Sequence, residues 1–296
     1  NWRNFKNIDV HLRERVYVIG PNASGKSNFL DVLRFLRDIA KAEGGGLQKA
    51  VKDRGGMTKL RCLMARKDTE ILIEVEISER VDTPATWKYS LGFRSEGKGA
   101  QRVIVSRERV EDLVNGAVLL ERPVEADKSD PEMRTQTHLE QINTNKNFRE
   151  LADFFANVTY LHLVPQLLKH ADQLGGYRLE DDPFGQAFLE RIAKTPEKTQ
   201  ESRLKKIEKV LRVCVPNMRD LRFKRDEIKG TPHLEAMYEH WRPEAGWQRE
   251  DQFSDGTLRL LGIMWSLLEG DSLLLLEEPE LSLNEDIVRQ IHKLLW

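Results

Sequence analysis

The sequence predicts an α/β fold with an opening strand–turn–helix unit, an antiparallel β subdomain, and a helical lobe followed by a late buried strand. Three observations predict it. First, Val16-Tyr17-Val18-Ile19 is a compact apolar run entering Gly20-Pro21-Asn22, and from Lys26 to about Glu43 the apolar period becomes helical. Second, Ile71, Ile73, Val75 and Ile77 alternate with Leu72, Glu74 and Glu76, the pattern of a half-buried strand. Third, Leu273 to Leu276 is a leucine run that meets Glu277 and Glu278, a buried strand delivering acids at its C-terminal end.

Composition permits such a core. The chain has 296 residues, 47 Lys+Arg against 48 Asp+Glu, and a net charge of −1. A fold of this length buries roughly 75% of its unfolded surface, so no covalent staples are needed. With 40% hydrophobic and 32% charged residues it is neither disordered nor membrane-embedded, and no apolar run approaches the roughly 18–20 residues of a membrane span. Cys62 and Cys214 are too few for a disulfide framework or a four-cysteine zinc site, which suits a cytoplasmic setting. The chain opens on Asn1 and closes on Trp296 inside a helical pattern, as part of a longer protein would.

In order along the chain, residues 1–19 read as two short strands. The helix from Lys26 presents Phe29, Leu30, Leu33, Leu36, Ile39 and Ala40 on one side and stops at Gly44-Gly45-Gly46. After the strand at 71–77, further strands are expected near 87–94, 101–107 and 116–121. Residues 135–213 are mainly helical; Phe148, Leu151, Phe154 and Phe155 share one face, and Leu204, Ile207, Val210 and Leu211 another. Val158–Val164 is a short strand ending at Pro165, and strands return near 220–228 and 232–241. Leu258–Leu268 is apolar on nearly every face, hence a buried helix, and a last helix begins near Asn284. The resulting division is 1–125 for the strand–turn–helix and β subdomain, 126–230 for the helical lobe, and 231–296 for the buried helix and acidic strand.

Gly20-Pro21-Asn22-Ala23-Ser24-Gly25-Lys26-Ser27 satisfies G-x-x-x-x-G-K-[ST] in full, with an apolar strand before it and a helix after it. Glycine lets backbone N–H groups approach phosphate oxygens, and the helix start adds its dipole. Lys26 would reach the β- and γ-phosphates and the Ser27 hydroxyl would ligate Mg²⁺. Four fixed positions recur by chance in about one chain in a hundred of this length at ordinary abundances. The strand and helix context lowers that figure further.

Glu277 stands where a Mg²⁺-associated acid belongs, and Glu278 beside it can orient and polarise an attacking water. Alone, such acids usually mark a solvated turn. Upstream, Phe253-Ser254-Asp255-Gly256-Thr257 leads into the buried helix, which makes either an ordinary N-cap or a second anion-binding helix start. One domain seldom needs two γ-phosphate sites, so the second suits a neighbouring subunit.

The order of phosphate loop, Ser-x-Gly before a buried helix, and hydrophobic strand with Glu-Glu-Pro resembles the ABC-type ATPases. Asn4-Phe5-Lys6-Asn7, with the run from Ile19 through Asn28, is similar to the opening of their SMC/RecF-like branch. Glu278-Pro279-Glu280 is similar to its stand-alone AAA-family ATPases of overcoming-lysogenization-defect type. The resemblance covers both ends of the chain and, over 125–230, only the outline. It implies a P-loop ABC-type head that is C-terminally truncated here, binding ATP and Mg²⁺ and dimerising with two nucleotides between heads. Residues Gly20, Pro21, Asn22, Ala23, Ser24, Gly25, Lys26, Ser27 and Asn28 would hold nucleotide in cis. Ser254 and Gly256 would meet the partner's γ-phosphate, Glu278 would be the catalytic acid, and Asn284 falls in the D-loop region. Ser27, Glu277 and Gln166, the Q-loop candidate, would serve the metal.

Departures from that pattern are Glu277 in place of aspartate and Asp255 in place of glycine inside the signature. The switch histidine would follow a strand beyond Trp296, with His292 a surface residue of the last helix. Residues 1–67 carry 15 Lys/Arg against 6 acids, a basic excess suited to DNA phosphates or simply to a solvated face. Trp87, Trp241 and Trp247 are expected to pack rather than stack on bases. Three functions follow from the resemblance. One is the ATPase of a DNA-directed assembly, plausible as an antiphage defence module with a nuclease partner. The others are a RecF-like repair or recombination factor, and the ATPase part of a nuclease whose TOPRIM domain follows residue 296.

Overall fold

The computed structural model describes residues 1–65, 68–97, 102–170, 181–242, 246–270 and 272–294, with side chains described as far as Arg289. The chain divides into two compact units, Asn1–Val158 and Thr159–Trp296.

In the first unit, helix α1 (Lys26–Ala40) is followed by the short helices α2 (Leu47–Asp53) and α3 (Met57–Leu60). Strands β1 (Ile71–Ile77), β2 (Trp87–Ser95), β3 (Val103–Asp112) and β4 (Ala117–Arg122) form an antiparallel sheet in sequential order. Helices α4 (Glu125–Ser129) and α5 (Arg149–Ala156) complete the unit. The meander is the expected one, and its register pairs Ile71 with Phe93 and Ile73 with Leu91. That register sends the β-branched residues of β1 to the buried face while Leu72 stays 40% exposed.

The core of this unit joins α1 to the sheet. The Phe35 ring stacks on Phe93 at 5.2 Å, and Trp2 meets Phe35 at 5.1 Å. Leu36 and Ile39 are fully buried, and Phe155 of α5 packs against Tyr89 at 5.8 Å. Burying each such side chain contributes about 1.5–3 kcal/mol. Two charges on α1 are buried as well. Asp31 takes ion pairs from Arg3 at 2.7 Å and Arg54 at 3.0 Å, and Arg37 pairs with Asp38 at 2.8 Å. Part of the N-terminal basic excess is therefore committed to the unit's own acids.

The opening strands do not form. Residues 8–20 carry no strand, and Trp2 and Phe5 make one isolated bridge. Val16, Tyr17, Val18 and Ile19 are 45%, 55%, 40% and 92% exposed. A strand exists only through a hydrogen-bonded neighbour, and the sheet of this unit is closed by β1 and β4 without this segment.

The second unit begins with β5 (Thr159–Leu161), then α6 (Pro165–Lys169), α7 (Phe188–Lys194) and α8 (Glu197–Cys214). An antiparallel sheet of β6 (Met218–Arg225), β7 (Pro232–Tyr238) and β8 (Trp247–Arg249) follows. Helix α9 (Asp255–Glu269), strand β9 (Leu274–Leu276) and helix α10 (Glu285–Leu294) end it. Strand β9 lies parallel to β5, with Leu161 opposite Leu276. Helix α9 is buried over eleven successive residues from Gly256 to Ser266, as its all-round apolar sequence requires. Its Trp265, with Leu204, Ile207 and Leu211 of α8 and Leu221 and Leu234 of the sheet, makes one core.

The tryptophans divide. Trp247 lies beneath the Arg222 guanidinium, 3.4 Å from ring centroid to Cζ, and Trp87 is half-buried. Trp241 is 78% exposed in the β7–β8 connection, where its ring stacks on His240 at 5.6 Å and lies 4.3 Å from the Arg242 guanidinium instead of packing in a core. Among the described residues no helix is long and apolar enough to cross a membrane. His292 and Trp296 lie outside the residues whose side chains are described.

Candidate functional site

The glycine loop is set by its backbone. Ala23 has φ 64° and Gly25 φ 106°, both left-handed, and the Ser24 N–H closes a turn on the Pro21 carbonyl at 3.3 Å. A Cβ on Gly25 would stand 2.3 Å from Asn4 Nδ2 and 2.7 Å from Phe5 Cζ, so only glycine fits there. Asn4 holds the loop from that side, donating to the Ser24 carbonyl at 3.1 Å and accepting from Asn28 Nδ2 at 2.9 Å. Asn4 and Phe5 thus support the loop, a role visible in the sequence only through the resemblance of the opening segment.

Helix α1 starts at Lys26 without a side-chain cap and without an acid in its first turn. An uncapped helix start of this kind attracts anions. The Lys26 ammonium curls over the loop and donates to the carbonyls of Gly20 at 2.8 Å and Pro21 at 3.0 Å. An ammonium, uncapped N–H groups and the Ser27 hydroxyl form a donor set matched to nucleotide phosphates. Among the described residues there is no group of three or more His, Cys, Asp or Glu side chains able to cage a metal ion. Ser27 and Glu277 each carry the kind of oxygen donor that Mg²⁺ prefers, one in each unit.

The acids stand in the second unit. The Glu277 N–H donates to the Leu161 carbonyl at 2.9 Å, carrying the β5–β9 ladder one residue further, and the Tyr160 hydroxyl donates to Glu277 Oε2. Glu278 follows with φ 48°, a conformation costing about 1–3 kcal/mol in a non-glycine residue, and its side chain is half exposed. His162, just past β5, brings Nε2 to 3.9 Å from Glu278 Oε2. Tyr160 and His162 were not legible as site residues. Their place depends on the parallel pairing of two three-residue strands, which no local pattern announces.

Ser254 caps α9, its Oγ accepting from the Thr257 N–H at 3.2 Å. A Cβ on Gly256 would lie 2.6 Å from the Ser282 carbonyl, so the segment after Glu278 rests on the first turn of α9. Asp255 is gripped from α6: Lys169 Nζ donates to Oδ1 and Gln166 Nε2 to Oδ2, each at 2.8 Å. One turn further, buried Arg259 donates to the Glu278 carbonyl at 3.3 Å, and its Nε has no hydrogen-bond partner. Burial pulls the Arg259 guanidinium below its usual value, opposed by Glu278, Glu280 and Asp255. The structure thus gathers Ser254, Gly256, Gln166, Glu277 and Glu278 in one unit, while residues 20–28 belong to the other. Asn284 accepts from the Ile287 N–H at 2.8 Å, capping α10.

Residues 20–27 carry the full phosphate-loop motif on a chain of mixed α/β build. Residues 16–295 match the family described as "AAA domain, putative AbiEii toxin, Type IV TA system", and the chain belongs to that family of nucleotide-hydrolysing ATPases. A search of curated proteins gives no significant match.

Proposed function

We propose that the chain is an ATP-hydrolysing head that pairs with a second copy when ATP binds, and that this pairing gates the effector of an abortive-infection or antiphage assembly acting on DNA. The observation that supports pairing is the second helix start. Ser254 and Gly256 open α9 in the unit that also carries Glu278, whereas the phosphate loop already supplies its own uncapped start at α1. A nucleotide held by Lys26 and Ser27 of one copy leaves its γ-phosphate for Ser254 and Gly256 of the other. The family's description as a type IV toxin–antitoxin system supports the biological setting, and the basic excess of residues 1–67 supports DNA.

In this reading the Lys26 ammonium exchanges two loop carbonyls for phosphate oxygens, a stronger charge-assisted contact. Ser27 and Glu277 would supply oxygen ligands to Mg²⁺, with Gln166 as the third candidate. When bound, that ion neutralises the charge that develops on the transferred phosphoryl group. Glu278 accepts a proton from water as the water oxygen bonds to the γ-phosphorus and the bond to ADP breaks. His162 steadies the Glu278 carboxylate, and Arg259 steadies its backbone.

Mixing two inactive variants tests the shared site. Lys26→Ala should lose nucleotide binding, and Ser254→Arg should bind nucleotide without hydrolysing it. Mixed at equal concentrations, they should regain ATPase activity, because each mixed pair keeps one intact loop facing one intact helix start. No recovery in the mixture overturns the shared-site reading.

A further inference from the structure

We propose that Lys169 is a positioning residue that makes the start of α9 acceptable to a phosphate, by pairing the Asp255 carboxylate and holding it on α6. The inference rests on the reading of Ser254 and Gly256 as the contact for a partner's γ-phosphate. That reading meets a physical obstacle in Asp255, the first residue of α9. An aspartate suits a helix N-terminus while it faces water, but its charge repels a phosphate brought to the same N–H groups.

The structure resolves the obstacle on both oxygens at once. Lys169 takes Oδ1 and Gln166 takes Oδ2, each at 2.8 Å, from within the five-residue helix α6. The Lys169 side chain is 17% exposed and that of Asp255 34%, so the pair is screened less than an open surface bridge. Lys169 thereby supplies the neutralising charge, and Gln166 fixes the carboxylate's direction. The clamp also has a firm base. Helix α6 follows β5, whose Leu161 carbonyl receives the Glu277 N–H at 2.9 Å. On the other side, Arg259 ties α9 to the Glu278 carbonyl. Asp255 therefore sits in a frame that links the signature start to the acid end of β9, within one unit. A lysine here does what the absent glycine would otherwise do: it keeps negative charge away from the approaching phosphate.

The test uses the full chain carrying Glu278→Gln, which should slow hydrolysis and let the ATP-bound pair accumulate. Lys169→Met, Lys169→Arg, Asp255→Asn and Lys169→Met/Asp255→Asn are added in turn. Sedimentation gives the ATP·Mg²⁺ concentration for half-maximal pairing, and a fluorescent ATP analogue gives the affinity of the single copy. Lys169→Met should raise the half-maximal concentration by about tenfold or more with single-copy affinity unchanged. Lys169→Arg should stay near the parent. The double variant should return to within about twofold of it, because removing the carboxylate removes the need for the lysine. A Lys169→Met protein that pairs like the parent overturns the proposal, as does a double variant as defective as Lys169→Met. A parent that never pairs at saturating ATP overturns the shared-site reading itself, which separates the two failures.

Discussion

The imidazole Nε2 of His162 lies 3.9 Å from the Glu278 carboxylate, across a two-stranded parallel sheet that pairs Thr159 with Leu274 and Leu161 with Leu276. In the proposed hydrolysis, a group so placed would restrain the Glu278 carboxylate without taking over its chemistry. His162→Ala should lower the ATPase turnover number by about tenfold, less than the roughly 10²–10⁴-fold that a general base itself contributes, and leave nucleotide affinity unchanged. Steady-state kinetics with a separate binding titration checks both; a loss of affinity with unchanged turnover contradicts the assignment.

Gly25 carries a second prediction. With φ at 106° and the Asn4 amide 2.3 Å from any added Cβ, Gly25→Ala must move either the loop or the opening segment. The protein should lose about 1–3 kcal/mol of stability together with nucleotide binding. Asn4→Ala, which removes the side chain that the new Cβ meets, should restore part of the stability in the double variant. Urea unfolding of the two single variants and the double measures the coupling.

A buried charge network gives the third. Arg122 bonds Glu108 at 3.1 Å and Asp127 at 2.5 Å, and all three side chains are at most 2% exposed. Burial raises the Glu108 carboxyl above its usual range, whereas the Arg122 and Val124 contacts leave Asp127 below its own. Arg122→Met strands two carboxylates in the core and should cost about 3–5 kcal/mol. Thermal unfolding that moves by only a degree or two would contradict this.

Glu140 predicts a pH dependence with a definite sign. Burial pushes its carboxyl up to about 7 from an ordinary 4.5, although the Leu47 N–H, donating at 2.7 Å, and Thr137 pull it down. Between these values the folded chain holds a proton that the unfolded chain has released. The contribution of Glu140 is therefore complete below about pH 4.5 and is lost as pH rises through about 7. Asp38 and Asp127, held below their usual range, act oppositely at the acid end. Comparing Glu140→Gln with the parent isolates the effect: the parent should lose stability relative to the variant between pH 5 and 8.

Local chemistry made much of this legible in advance. The alternation of Ile71 to Ile77 marked β1, the unbroken apolar character of Leu258 to Leu268 marked a buried α9, and the Gly20–Ser27 spacing marked the loop. What stayed hidden depended on partners distant in the chain. Val16 to Ile19 has strand composition but no ladder, because composition cannot state whether a neighbour is available. Tyr160 and His162 reach the acids only through the pairing of Leu161 with Leu276. Lys169 and Asp255 are 86 residues apart, and nothing in either neighbourhood identifies the other. Trp241 is expected to pack by residue type, yet its loop position leaves it open.

Sedimentation of Glu278→Gln with ATP·Mg²⁺ bears most directly on the central claim that ATP joins two copies at Ser254 and Gly256. Glu278→Gln should form a stable dimer at saturating ATP that disappears when Lys26→Ala is added to the same chain. A Glu278→Gln protein that binds ATP and remains a monomer contradicts it.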